Sequence, residues 1–498
     1  MQPDHVLAID QGTTSTRAIL FDRDARPVAS AQRELRQHYP QAGWVEHDAD
    51  DIWSDALFVA REALARSGVD VRRVAGIGIT NQRETAVLWD RSTGEPIHRA
   101  IVWQDRRTAG DCARLKRDGA EAMVQERTGL LLDPYFSASK VAWMLDAVPN
   151  GRQRAERGEL AFGTIDSFLL CRLTGGGVHA TDITNASRTL LFDIRKQQWD
   201  GELCRLFRVP EAVLPEVHGN SRLFGTTAPG LFETPLPIAG MAGDQQAALF
   251  GQACFGRGMA KCTYGTGAFM LLNTGDEPLQ SQHRLLTTPA YRIGDRTAYA
   301  LEGSIFVAGA AVKWLRDGLG VIADAAHSET LSAGIADTGG VYMVPAFVGL
   351  GAPHWDPDAR GAIIGLTLDS TAAHLARAAL EAVAYQTLDL VEAMRADGAC
   401  RTGPLRIDGG MADNAWLCQF LADIMNTTVE RARMVETTAL GAAFHAGLAT
   451  GVWPDLSALT RLSRSKDGFE PRMDNSVRDP LIAGWRTAVA RTLATAER

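Results

Sequence analysis

The run Asp10-Gln11-Gly12-Thr13-Thr14-Ser15-Thr16, with Arg17 behind it, concentrates groups that bind anions. Glycine lets backbone N–H groups approach a phosphate closely, and the hydroxyls of Thr13, Thr14 and Ser15 add donors. Asp10 ends an apolar run, where a carboxylate suits Mg2+ or its water shell, and Arg17 can neutralise a phosphate. Taken alone, such a run is equally a polar hairpin turn with a capping Asp. Two further glycine turns, Tyr264-Gly265-Thr266-Gly267 and Asp408-Gly409-Gly410-Met411, read singly as close turns. Together the three point to a nucleotide gripped from two sides. Other phosphate loops are absent: no Lys follows a Gly, no Gly-x-Gly-x-x-Gly follows a strand, and the protein-kinase HRD and DFG elements are missing.

A second set of residues suits a small polar substrate. Thr80-Asn81-Gln82-Arg83-Glu84 follows a buried strand, and the C-terminal ends of strands are where open α/β sheets bind ligands. Arg83 and Glu84 could hold a polyhydroxylated molecule as donor and acceptor; a solvated loop with a local salt bridge is the alternative. Trp103 and Tyr135 can cover the carbon face of a polyol, although isolated aromatic residues more often belong to the core. Pro237–Gln246 reads as an apolar strand delivering an acid and two amides. Asp244 is then a base for a hydroxyl, as phosphoryl transfer to an alcohol needs, or the N-cap of a helix. The remaining carboxylates and histidines lack metal-ligand spacing, and His354 and His445 are expected to be satisfied structural residues.

The elements that must position these groups follow from periodicity. Val6–Asp10, Arg17–Asp22 and Pro27–Arg36 read as a strand meander joined by a tight loop at Gln11–Thr16, then a helix over Asp51–Arg66 and a strand at Val74–Thr80. The plan recurs in the second half. Gly258–Thr263, Ala268–Leu272 and Thr297–Leu301 are strands, and Ser304–Asp317 is a helix. A long helix spans Thr371–Arg395, Leu405–Asp408 is a strand, and Asn414–Met425 is amphipathic. Two duplicated α/β units are expected, 1–250 and 251–498, packed and hinged rather than tethered.

Composition sets the limits. The 498 residues are 46% apolar and 22% charged, ample for sizeable cores. The net charge of −8 argues against a nucleic-acid or anionic-membrane binder. Seven cysteines without a CxxC, no signal-peptide pattern and no apolar run long enough to span a membrane make a cytoplasmic location the expectation.

The blocks Asp10–Arg17, Gly78–Thr85, Trp103-Gln104, Asp133–Ser137, Thr184–Thr189, Ala242–Gln246, Tyr264–Gly267, Gly349–Pro353 and Asp408–Gly410 resemble, in order, the FGGY carbohydrate kinases and especially their glycerol branch. Gly361–Glu381 is similar to the wider family signature. The resemblance implies two actin-like, ribonuclease-H-type domains with ATP in the cleft between them, the first binding glycerol and the second the nucleotide. It implies phosphorylation of glycerol to sn-glycerol 3-phosphate. Carried over by position, Arg83, Glu84, Tyr135, Asp244 and Gln245 contact glycerol, with Trp103 and Phe269 beside its carbon skeleton. Thr13, Thr14, Ser15, Arg17, Thr266 and Gly309 meet the ATP phosphates, and Gly410 and Asn414 lie by the adenosine. Asp10 helps place Mg2+ and Asp244 is the base. A homo-oligomer, dimer or tetramer, is expected.

Three departures matter. Lys313 stands where many relatives carry Gln near the nucleotide. Phe232-Glu233-Thr234-Pro235 replaces the Gly-Gly-Thr-Arg loop with which enteric relatives bind fructose 1,6-bisphosphate, so inhibition by that anion is expected to be weak or absent. Pro471–Pro480 likewise differs from the enteric pattern, which makes regulation by a phosphotransferase protein doubtful. Another sugar as substrate, or an actin-like ATPase that is not a kinase, are the competing readings.

Overall fold

The computed structural model describes residues 3–356, 358–463 and 465–496. Val6, Leu7, Ala8 and Ile9 are all buried, so β1 (His5–Gln11) is covered on both faces. It pairs antiparallel with β2 (Ser15–Phe21), which β3 (Pro27–Glu34) extends. α1 (Ala49–Ser67) starts where Asp48 caps the Asp50 amide and stops at Gly68 in the left-handed region. It buries Ile52, Ala56, Val59 and Ala63 against the sheet. β4 (Val74–Asn81), buried at every residue, lies parallel to β1, and β5 (Ser221–Thr226) and β6 (Pro237–Gly243) complete a six-stranded sheet in the order β5-β6-β4-β1-β2-β3. α2 (Asp244–Gly251) follows at once.

The second sheet has seven strands: β7 (Ala260–Tyr264), β8 (Ala268–Gly275), β9 (Leu286–Ile293), β10 (Arg296–Ile305), β11 (Leu405–Asp408), β12 (Val429–Ala432) and β13 (Ser465–Phe469). Their spatial order is β9-β10-β8-β7-β11-β12-β13. The helices of this half include α3 (Gly309–Asp317), α4 (Ala372–Ala396), α5 (Ala415–Met425), α6 (Thr437–Thr450) and α7 (Asn475–Ala496), with others at Ala325–Ala333 and Leu456–Leu462. The successions β3-β2-β1-β4-β6 and β10-β8-β7-β11-β12 match, each an antiparallel meander followed by two parallel strands. This is the duplicated α/β plan that the sequence implied.

Two of the boundaries that differ from expectation bear on the site. The helix read at Ser304 begins at Gly309, because Ser304 and Ile305 finish β10 opposite Phe269 and Ala268. The loop read at Gln11–Thr16 is shorter, because Gln11 and Thr16 already pair across the hairpin. Among the described residues no helix is long and apolar enough to cross a membrane.

The halves interlock through α6, which packs on α2 and on the first sheet around Phe250, Ala443 and Phe444. Glycine makes this possible. A Cβ at Gly441 would sit 1.9 Å from the Ala247 carbonyl oxygen, and one at Gly78 2.1 Å from that of Ala442.

Candidate active site

Strands β1, β4 and β6 end side by side, with Asp10 opposite Thr80 and Gly243 opposite Asn81. That edge delivers Asp10, Arg83, Glu84 and Asp244. Thr80–Thr85 is buried throughout, so it is not a solvated loop. Asn81 and Asn185 exchange side-chain hydrogen bonds of 3.0 Å, and Gln82 Nε2 donates to Gln11 Oε1 at 3.0 Å. Glu84 adopts φ of 60°, uncommon for a side chain of its size, and its carbonyl accepts from Ser137 Oγ at 3.0 Å.

Arg83 organises the centre. Its Nε lies 3.2 Å from Asp244 Oδ1, and its Nη1 donates to Gln246 Oε1 at 3.0 Å. Both terminal nitrogens grip Glu302, each at 2.7 Å. Glu302 also accepts from Arg188 Nη2 at 3.1 Å, and Arg188 Nε donates to Glu84 Oε1 at 2.6 Å. Burial alone would raise the Glu302 carboxyl, but Arg188 and Arg83 outweigh it and pull it down to about 2. The Asp244 side chain is 30% exposed where that of Arg83 is 2% exposed, so the acid stays open to solvent. Gly243 makes room for the Arg83 stem, since a Cβ there would lie 2.8 Å from its Cδ.

Tyr135 meets Trp103 edge to face at 5.5 Å. Its turn is tied by the buried Lys140, whose Nζ donates to the carbonyls of Pro134, Tyr135 and Phe136 at 2.6, 2.7 and 3.0 Å. Burial lowers this ammonium to about 8. Gln245 accepts from the buried Lys261 at 2.6 Å, and Lys261 also reaches the carbonyl of the half-buried Phe269 at 3.4 Å. Arg83, Glu84, Trp103, Tyr135, Asp244, Gln245 and Phe269 thus form one neighbourhood.

The anion-binding candidates adjoin it. Thr13 Oγ1 accepts from Trp103 Nε1 at 2.9 Å, Ser15 Oγ accepts from Gln32 Nε2 at 3.0 Å, and Thr14 is exposed. Arg17 donates to Gln32 Oε1 and pairs with Glu436 across the cleft. From the second sheet, the Thr266 carbonyl accepts from Ala308 and Ala310 at 2.9 and 3.0 Å, which holds the Gly265–Gly267 turn against the start of α3. Gly309 must lack a side chain there, because its Cβ would meet the Gly265 oxygen at 2.6 Å and the Met411 sulfur at 3.3 Å. Gly410 is exposed, Asn414 caps α5 through the Leu417 amide at 2.9 Å, and Lys313 points outward from α3 without joining the cluster.

Electrostatics single out Asp10. Burial, then the charges of Asp244 and Glu436, raise its carboxyl to about 7 against the pull of Arg17. Asp244 and Glu436 each face an arginine, Arg83 and Arg17, whereas among the described residues no ion pair holds Asp10, and a divalent cation brought by a nucleotide would balance its charge. No group of three metal-ligating side chains occurs among the described residues, so such an ion would draw its other ligands from phosphates and water.

A family model for the N-terminal domain of the FGGY family of carbohydrate kinases matches residues 5–251, and one for the C-terminal domain matches 260–450. The chain belongs to the FGGY family of carbohydrate kinases. This FGGY kinase is 63% identical to glycerol kinase of Gluconobacter oxydans over 98% of its own chain and 96% of the relative. It is 62% identical to that of Rhodospirillum centenum over 98% of each chain. Its structure superposes on Plasmodium falciparum glycerol kinase with ADP at a TM-score of 0.93 and 38% identity, covering 99% of both.

Arg188, Glu302, Lys261, Lys140 and Glu436 carry no role that is legible in the sequence alone. Only Arg188 lay in a quoted motif. A lone acid within apolar Ala300–Ile305 and a lone lysine in Ala260–Tyr264 were the available signals, and neither names its partner in this FGGY kinase. His445 is only half satisfied: its Nδ1 meets Ser221 Oγ at 2.9 Å, while its buried Nε2 has no partner among the described residues. A cavity of about 440 Å³ lies elsewhere, lined by Arg26, Gln252, Arg406 and Arg433, with Asp24 facing Arg26 and Glu430 facing Arg406.

Proposed function

We propose that the chain transfers the γ-phosphoryl group of ATP to a primary hydroxyl of glycerol, giving sn-glycerol 3-phosphate and ADP. The support is near full-length identity of 63% and 62% to glycerol kinases, together with the partly exposed Asp244 carboxylate beside Arg83 and the Trp103–Tyr135 ring contact. Residues 1–250 form the glycerol-binding unit and 251–498 the nucleotide-binding unit.

In this reading Arg83 and Glu84 bind the vicinal hydroxyls, Gln245 adds an amide, and Trp103, Tyr135 and Phe269 enclose the carbon chain. Asp244 accepts the hydroxyl proton as that oxygen bonds to the γ-phosphorus and the bond to the β-phosphate oxygen breaks. Thr13, Thr14, Ser15, Thr266 and Gly309 cradle the phosphates, Arg17 exchanges Glu436 for phosphate oxygens, and Gly410, Asn414 and Lys313 flank the nucleoside. Asp10 would hold Mg2+, which when bound neutralises phosphate charge. Enclosure between the units excludes water, the competing acceptor. The enzyme works in the cytoplasm as a homo-oligomer.

A panel of polyols and sugars assayed for ADP release tests the substrate. Glycerol is expected to give the highest kcat/KM; a preference for xylulose or gluconate would overturn the assignment.

A further inference from the structure

We propose that Glu302, a carboxylate of the second unit, is the positioning residue that sets two of the glycerol-facing groups of the first unit, Arg83 directly and Glu84 through Arg188. This deepens the glycerol-kinase reading and rests on it. Glu302 sits in mid-strand on β10, opposite Leu271 of β8 and Leu286 of β9, with none of its surface exposed. A carboxylate in such surroundings is costly to desolvate, and an apolar residue of similar volume often serves stability as well. Its geometry suits orientation instead.

The two-pronged contact at 2.7 Å per prong fixes the plane of the Arg83 guanidinium, a restraint that one hydrogen bond cannot supply. The same carboxylate takes Arg188 at 3.1 Å, and Arg188 holds Glu84 at 2.6 Å. Arg83 and Arg188 thus face Glu84 and Glu302, while Asp244 also lies within 3.2 Å of Arg83. Without the Glu302 charge, Arg83 turns to Asp244, already 3.2 Å away, and substrate loses both.

Steady-state kinetics of the full chain and of Glu302→Gln and Glu302→Asp, with glycerol and MgATP varied separately, test this. Glu302→Gln is expected to raise the glycerol KM about ten- to a hundredfold with the MgATP KM unchanged, and Glu302→Asp to fall between it and the parent. An unchanged glycerol KM overturns the proposal. So does a parallel rise for both substrates, which would assign Glu302 to the fold alone. If Glu302→Gln does not fold, Glu302→Asp decides by the same criterion. A parent chain inert toward glycerol would overturn the underlying reading; an active parent with indifferent variants overturns this proposal only.

Discussion

Among single residues, exposure and charge partners separate the roles. Asp244 touches Arg83 yet remains open, the condition for a base that must meet substrate. Asp244→Asn is expected to lower kcat by about 10²–10⁴ with a smaller change in KM, measured by ADP release. Asp10 carries a different signature. Its carboxyl titrates at about 7 in the fold against an ordinary 3.8, so between those values the folded chain holds a proton that the unfolded chain has lost. Stability from this group is full at low pH, declines as pH rises across that window and stays reduced above it. Asp10→Asn is therefore expected to melt higher than the parent at about pH 8 and to match it near pH 4, while losing activity; thermal scans at the two pH values check it. Lys140→Met removes the tie on the Tyr135 turn and should raise the glycerol KM about tenfold in steady-state assays. Arg83, Glu84 and Asp244 were legible in the sequence because each closely follows a readable strand. Glu302 and Lys261 were not, because a single charge inside an apolar strand gains its meaning from a partner far along the chain.

At the scale of elements, strands were read more securely than helix starts. Ile305, Ala308, Val312 and Leu315 keep helical phase, but Ile305 belongs to β10, where pairing with Ala268 overrides local periodicity. The α2–α6 contact was invisible to periodicity, since it depends on glycine letting backbones touch. Gly441→Ala places a methyl group 1.9 Å from the Ala247 carbonyl oxygen, so α6 must shift. A loss of about 1–3 kcal/mol in stability is expected, read as a lower midpoint in urea unfolding.

At the scale of the molecule, the duplication explains why the site is shared. Each sheet brings its parallel strand ends to one cleft, and the pairs Arg83–Glu302, Gln245–Lys261 and Arg17–Glu436 join the halves there. Regulation is expected to differ from that of enteric relatives. The loop at Gly230–Leu231 is held by Arg61 at 3.1 and 2.8 Å, and Glu233 follows in place of a basic group, so fructose 1,6-bisphosphate should inhibit weakly or not at all in a steady-state titration. The most direct measurement of the central claim is identification of the product formed from MgATP and glycerol. One sn-glycerol 3-phosphate per ADP is the predicted result; release of inorganic phosphate with glycerol left unmodified would contradict it.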